Sequence, residues 1–249
     1  MVKTTPAIDD RGRYYRFEAE EGSFLSPGYS QLVLRDLYQT IEDRNVLTIY
    51  DIGSGRGYNI PALRQRFPAS LLIALDLNWN ALSAARNETS AAWPVQCDAL
   101  TLPLEDSRAD LAVCTEVLEH VADLDSAVRE IARVVRPGGY AVISSPNYLN
   151  LMGLRKWIHD RRNGLEHWDP WGGHPGFERF MVPRLVRHAV EPHFRILRVR
   201  GAGFAMAWIP LGYRRIGRLN DRFPLARLGR WPLFRSIAVN RYLLLQKRP

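Results

Sequence analysis

Short, continuous apolar runs alternate with segments of helical period across residues 46–144, and this constrains the fold more than any other feature of the chain. Val46–Ile52, Leu71–Leu75 ending in Asp76, Trp93–Cys97 ending in Asp98, Ala109–Cys114 and Tyr140–Ser144 read as buried strands. Between them, Asn59–Phe67, Asn80–Asn87 and Asp125–Val135 read as helices. Pro61 is tolerated in the first turn of its helix. Ala127, Val128, Ile131 and Val135 share a face of theirs, and Arg136-Pro137-Gly138-Gly139 stops it. Upstream, Ser26-Pro27-Gly28 opens a helix with Leu32, Val33, Leu37 and Ile41 at helical spacing. Strands that are apolar throughout are covered on both faces, which predicts an α/β fold with a mostly parallel sheet between helices. Such sheets bind ligands at the carboxyl ends of their strands, near the point where strand order reverses.

The stretch YDIGSGRGYN, residues 50–59, follows the first of these runs. Gly53, Gly55 and Gly57 let the chain turn sharply and let a ligand approach the backbone, while the next helix points its N-terminus at the same place. The dinucleotide fingerprint G-x-G-x-x-G would need glycine at position 58, where this chain has Tyr58. A nicotinamide dehydrogenase fails on that spacing.

The cassette does not stand alone. YDIGSGRGYN, Asp76, CDALTLPLEDSRADLAVCTEVLEHVAD and RVVRPGGYAVISSPN together resemble the class I S-adenosylmethionine (SAM)-dependent methyltransferases, in the branch of ubiquinone- and menaquinone-biosynthesis-like small-molecule enzymes. The resemblance covers roughly residues 46–147. It implies a Rossmann-like, seven-stranded, mostly parallel sheet with helices on both faces and an antiparallel last strand. An inserted lid and a basic C-terminal appendage would complete a single domain over 1–249. Within it, 1–45 would be an N-terminal helix and lid, 46–147 the SAM-binding core, 148–180 the lid insertion, and 181–249 substrate-side elements and final strands. The cofactor implied is SAM. Asp76 would accept from the ribose hydroxyls, as the corresponding acid does in dinucleotide enzymes. Asp98 would take the adenine amino group, with backbone from Ala99 beside it, and Leu77 and Leu100 would sandwich the ring. Gly53, Ser54 and Gly55 would leave room for the methionine portion, and Asp51 would order the loop and reach the ammonium through water. Cys97, Thr115 and Glu116 complete the expected cofactor contacts.

Glu116-Val117-Leu118-Glu119-His120 follows the fourth strand, where this family brings cofactor and acceptor together. In most relatives such a string shapes the sulfonium pocket and binds no metal. In small-RNA 2′-O-methyltransferases a similar string binds a divalent ion with a distant histidine, a place His167 or His174 would take here. No RNA-binding module is recognisable in the chain, so a nucleic-acid acceptor is not the expectation. His120 and His174 are the candidate general bases, because imidazole titrates near neutral pH.

Charge is divided unevenly. Residues 1–150 hold 14 Lys and Arg against 20 Asp and Glu, and residues 151–249 hold 20 against 6. An anionic partner or an arginine-favouring genome accounts equally for the second half. Residues 201–236 interleave arginine with aromatic and aliphatic residues, as an interfacial membrane segment does, or as a solvated substrate-side hairpin does. The expected acceptor is therefore a small or lipid molecule. The aromatic-rich span 146–180, with Tyr148, Trp157, Trp168, Trp171 and Phe177, reads as an irregular lid, joined by Arg13-Tyr14-Tyr15-Arg16-Phe17. A helix over Pro183–Val190, a strand over Phe194–Val199 and a final strand over Ala238–Leu245 close the chain. Cys97 and Cys114 lie in apolar stretches and read as core thiols in a reducing cytoplasm. No apolar run approaches the ~20 residues that span a bilayer, and the first residues are not a secretory signal. The expected location is cytoplasmic, at the inner face of the membrane if the basic segment is interfacial. A protein that kept this fold for binding alone is the remaining alternative.

Overall fold

The computed structural model describes residues 27–41, 46–89, 92–163, 178–203 and 230–249. Seven strands form one sheet: β1 (Thr48–Ile52), β2 (Leu71–Asp76), β3 (Trp93–Gln96), β4 (Ala109–Thr115), β5 (Val135–Pro146), β6 (Phe194–Ala202) and β7 (Asn240–Lys247). Their order across the sheet is β3-β2-β1-β4-β5-β7-β6. The first five strands pair in parallel, and β7 runs antiparallel to both β5 and β6. The expected sheet, with its antiparallel last strand, is the one found.

The helices are α1 (Pro27–Gln39), α2 (Ile60–Arg66), α3 (Trp79–Thr89), α4 (Leu124–Val134), α5 (Leu151–Asn163), α6 (Pro183–Val190) and α7 (Pro232–Ile237). Two apolar cores, one on each side of the sheet, hold them. Val33, Leu34, Leu37 and Tyr38 of α1 pack with Ile60 and Leu63 of α2 against Ile49, Leu72, Leu111, Val142 and Leu244. Ala127, Val128 and Ile131 of α4 and Val186, Ala189 and Val190 of α6 pack against Ile52, Leu75, Ala112, Ile143 and Leu243. Alternate residues of single strands thus face opposite cores, which is why the strands are apolar throughout.

α4 follows its predicted face closely, and Asp123 caps it by accepting from the Ser126 N–H at 3.1 Å. Leu32 differs: it was expected on the inner face of α1 and is 56% exposed, because the buried stripe runs through Val33, Leu34 and Leu37 instead. The Arg136–Gly139 stop lies within β5. The register jumps from Ala109↔Val135 to Leu111↔Tyr140, so these residues bulge out of the ladder, with Gly138 at φ +74.

The span 146–180 was expected to be irregular, yet Leu151–Asn163 is a 13-residue helix. Its pattern is hard to see because only Met152, Gly153 and Lys156 face inward, and one is a glycine and another a lysine. Gly153 allows the docking: a Cβ there would lie 1.8 Å from the Tyr148 carbonyl oxygen. Gly153→Ala should therefore cost about 1–3 kcal/mol in urea denaturation, whereas exposed Leu154→Ala should stay within ~0.5 kcal/mol of the parent.

Candidate functional site

β1 pairs with β2 on one side and β4 on the other, so strand order reverses at its carboxyl end. The glycine cassette sits there. Gly53, Gly55 and Gly57 have φ of +68, +51 and +81, a region that side-chain-bearing residues rarely enter. Gly53 also passes so close to the segment after β4 that a Cβ would lie 2.2 Å from Val117 Cγ2. The Ser54 N–H donates to the Leu75 carbonyl at 2.9 Å, and the Gly55 N–H donates to Asp76 Oδ2 at 2.7 Å. Asp76 Oδ1 accepts from the Asn78 N–H at 2.8 Å. Asp76 is buried, and burial raises its pKa against the lowering effect of these N–H groups. Each oxygen keeps a second lone-pair direction for another donor.

Asp51 is fully buried beneath the loop. Its Oδ1 accepts from Asn59 Nδ2 at 2.8 Å, and the same amide reaches Thr115 Oγ1 at 3.0 Å. Among the described residues, Asp51 Oδ2 and the Ser54 hydroxyl are buried with no hydrogen-bond partner. Burial first, then the charge of Asp76, pushes the Asp51 carboxyl up to about 7 against the Asn59 hydrogen bond. Buried polar atoms left this way cost on the order of 1–3 kcal/mol each, so the loop suits polar groups that the described residues do not supply.

Asp98 lies just past β3 and is stitched to Asp76, because the Cys97 N–H donates to the Asp76 carbonyl at 2.9 Å. Asp98 Oδ1 accepts from the Leu100 N–H at 2.9 Å in a tight turn. Burial, then the charges of Asp76 and Asp98, pushes the Cys97 thiol up to about 11. Leu77, Ala99 and Leu100 are half-buried around them. Cys114 is a buried free thiol.

Glu116 follows β4 with φ +55, a strained conformation for a residue with a side chain. Three contacts hold it. Its N–H donates to Ser144 Oγ at 3.1 Å, the Ser144 hydroxyl donates back to Glu116 Oε1 at 2.5 Å, and Asn240 Nδ2 donates to Oε2. Burial pushes the Glu116 carboxyl up to about 7 against the Ser144 bond. His120, mostly buried, places Nε2 3.8 Å from Glu119 Oε1. Among the described residues no group of three or more His, Cys, Asp or Glu is arranged to hold a metal, and both Glu116 oxygens are engaged by neutral donors. His167, His174, Trp168, Trp171, Phe177 and Arg13–Phe17 lie outside the described residues, as do residues 204–229 of the basic segment.

Sequence reasoning did not find Asn59, Ser144, Asn240 or Glu178. The Tyr148 hydroxyl donates to Glu178 Oε1, and its ring stacks on Phe180 at 5.0 Å. Tyr148 thus packs the segment after β5 against the core, whereas Trp157 is exposed under Arg161. Burial, then the charge of Glu116, pushes the Glu178 carboxyl up to about 8. Asn240 meets Glu116 across 124 residues, a pairing no local pattern announces.

Residues 50–143 match the methyltransferase-domain family. Over these residues the chain is similar to a methyltransferase domain. A Mycobacterium tuberculosis protein named as a probable SAM-dependent methyltransferase is 32% identical over 117 residues, 47% of this chain and 41% of that one. A malonyl-[acyl-carrier protein] O-methyltransferase of Marinomonas is 29% identical over 134 residues, 52% of this chain and 50% of that one. The chain thus spans about half or less of the length of these relatives. A solved SAM-dependent methyltransferase from Thermotoga maritima superposes with a TM-score of 0.59 over 97% of this chain and 96% of that one, at 14% identity, a likeness of fold. The family and its cofactor are those the sequence led us to expect. The glycine loop also fits that cofactor, since Asp51 Oδ2 and Ser54 Oγ are buried at it with no partner among the described residues. No helix among the described residues is long and apolar enough to cross a membrane.

Asp51, Glu116 and Glu178 all have folded pKa values above those of unfolded carboxyls, near 4. The folded state therefore holds more protons between pH ~4 and ~8, and stability conferred below that window is lost as pH rises through it. Urea denaturation across this range should show the unliganded chain weakening toward pH 8, and Glu178→Gln should flatten the slope above pH 6.

Proposed function

We propose that the chain binds SAM in the glycine loop and transfers its methyl group to oxygen, nitrogen or carbon of a small or lipophilic acceptor at the carboxyl ends of β4 and β5. The observation that carries this reading is the Gly55–Asp76 hydrogen bond beside the unpartnered Asp51 Oδ2 and Ser54 Oγ, inside a stretch that matches a methyltransferase domain. Asp76 uses its remaining lone pairs for the ribose hydroxyls. Asp98 and the Ala99 backbone take the adenine edge, with Leu77, Leu100 and Cys97 against the ring. Gly53, Ser54 and Gly55 pass the methionine portion, whose ammonium is drawn to Asp51. Thr115 and Glu116 border the sulfur.

When bound, SAM supplies a methyl group on a positively charged sulfur, already activated for displacement. What remains for the protein is alignment and exclusion of water. A hydroxyl or amine acceptor must also lose a proton, and in this reading His120, with Nε2 3.8 Å from Glu119 Oε1, takes it. A carboxylate acceptor, as the name of the Marinomonas relative indicates for that protein, needs no such base. His120→Ala therefore separates the two acceptor classes by its effect on turnover.

Calorimetric titration with S-adenosylhomocysteine tests the cofactor site. Wild-type protein should bind, and Asp76→Ala should weaken binding about tenfold or more; absence of binding by the wild type would overturn the proposal. Because Asp51 titrates near 7 and its ionised form favours the ligand's ammonium, affinity should rise from pH 6 to pH 8, and Asp51→Asn should abolish that rise.

A further inference from the structure

Two arginines meet at this end of the sheet with no acid to answer them among the described residues. Arg241 lies on β7 directly opposite Ser145 of β5 and Gly201 of β6. Residues opposite one another on neighbouring strands share a face of the sheet. On that face α7 rests against Gly201, where a Cβ would lie 2.7 Å from the Arg235 Cα. Arg235 is thereby set over the strand next to Arg241, on the face that Arg241 shares with Gly201. Leu243 and Leu245 of the same face belong to the core that holds α6, so Arg187 of α6 lies on this side too, tied to Glu191 at 2.5 Å.

Arg200 and Arg230 share Asp36 at 2.7 and 2.5 Å. Among the described residues, Arg235 and Arg241 make no side-chain hydrogen bond or ion pair, and Arg241 Nε is buried without a partner. Burial, then the charges of Arg235 and Arg187, lowers the Arg241 pKa. A guanidinium does not give up its proton in proteins, so the positive potential there persists until an anion enters.

The place is at the same end of the sheet as the proposed reaction centre. Asn240, one residue before Arg241, binds Glu116, and Ser144, one before Ser145, binds it as well, so the arginines flank that end from the opposite face. Asn147 Nδ2 ties the end of β5 to the end of α7 through the Ser236 and Ala238 carbonyls, at 2.9 and 2.8 Å. Around this edge Trp231 and Leu233 are 67% and 71% exposed, and Leu149 and Leu151 are exposed across from them.

We propose that Arg235 and Arg241, with Arg187 adding to the field, form a binding site for the phosphate group of the acceptor. Guanidinium forks match phosphate oxygens in pairs, and the apolar rim suits an organic group attached to that phosphate. The inference deepens the methyl-transfer reading by giving the acceptor a charge, but the site is tested without turnover. Inorganic phosphate titrated into the full chain should bind, and Arg235→Gln and Arg241→Gln should each weaken it about tenfold. Both variants should keep wild-type affinity for S-adenosylhomocysteine, so failure of the cofactor reading and failure of this one are separately visible. Arg241→Gln should also leave the phosphate-free melting temperature unchanged or higher, since it removes an unanswered buried charge; a structural arginine would lower it. Flotation with phosphatidylcholine vesicles, with and without phosphatidylglycerol, assigns the source. Phosphatidylglycerol-dependent binding that phosphate displaces and both variants lose identifies a lipid headgroup. Phosphate binding without flotation identifies a soluble phosphate ester. No phosphate binding by the wild type, or binding unchanged in both variants, would overturn the proposal.

Discussion

The hydrogen bond from the Gly55 N–H to Asp76 fixes the geometry on which the rest of the site depends. It joins the loop after β1 to the end of β2, and the Ser54–Leu75 backbone bond beside it sets the same register. From Asp76 the tie continues through the Cys97 N–H to the segment that carries Asp98. Three strand ends are thus locked together before any ligand arrives. A site whose donors and acceptors are already aimed binds with little ordering cost.

The same region carries charge and strain that a protein selected only for stability would avoid. Asp51, Glu116 and Glu178 are carboxyls whose burial resists ionisation. Glu116 adds a left-handed backbone, which costs on the order of 1–2 kcal/mol for a residue with a Cβ. Ser144 and Asn240 hold it there with hydrogen bonds from two strands. Strain of this kind persists where its surroundings over-determine it and is concentrated at functional positions.

Much of this was legible in the sequence, for reasons that can be named. β2 and β4 are largely apolar on both faces, so their limits and parallel pairing followed from the pattern, while β1 begins two residues later than its apolar run, at Thr48. The placement of Asp76 and Asp98 at strand ends followed in turn. α6 matched its predicted limits because Pro183 marks its start. α5 escaped notice because it turns Leu151, Leu154, Trp157 and Ile158 outward and a lysine inward, inverting the usual rule. The contacts that shape the acceptor side were invisible for another cause. Asn240 with Glu116 and Arg241 near Arg235 meet only once β7 has taken its place, and Tyr148 meets Glu178 across 30 residues; periodicity reports nothing about such meetings.

The sheet order has a consequence for how the molecule is made. β7 lies between β5 and β6, so β6 has its neighbour in the sheet only through a strand synthesised about forty residues later. Until residues 240–247 clear the ribosomal tunnel, β5 keeps an open edge and β6 has nothing to pair with. Growing chains expose such edges to one another, which makes the interval before β7 docks the moment of greatest vulnerability to aggregation, and the moment when a chaperone would find most to hold.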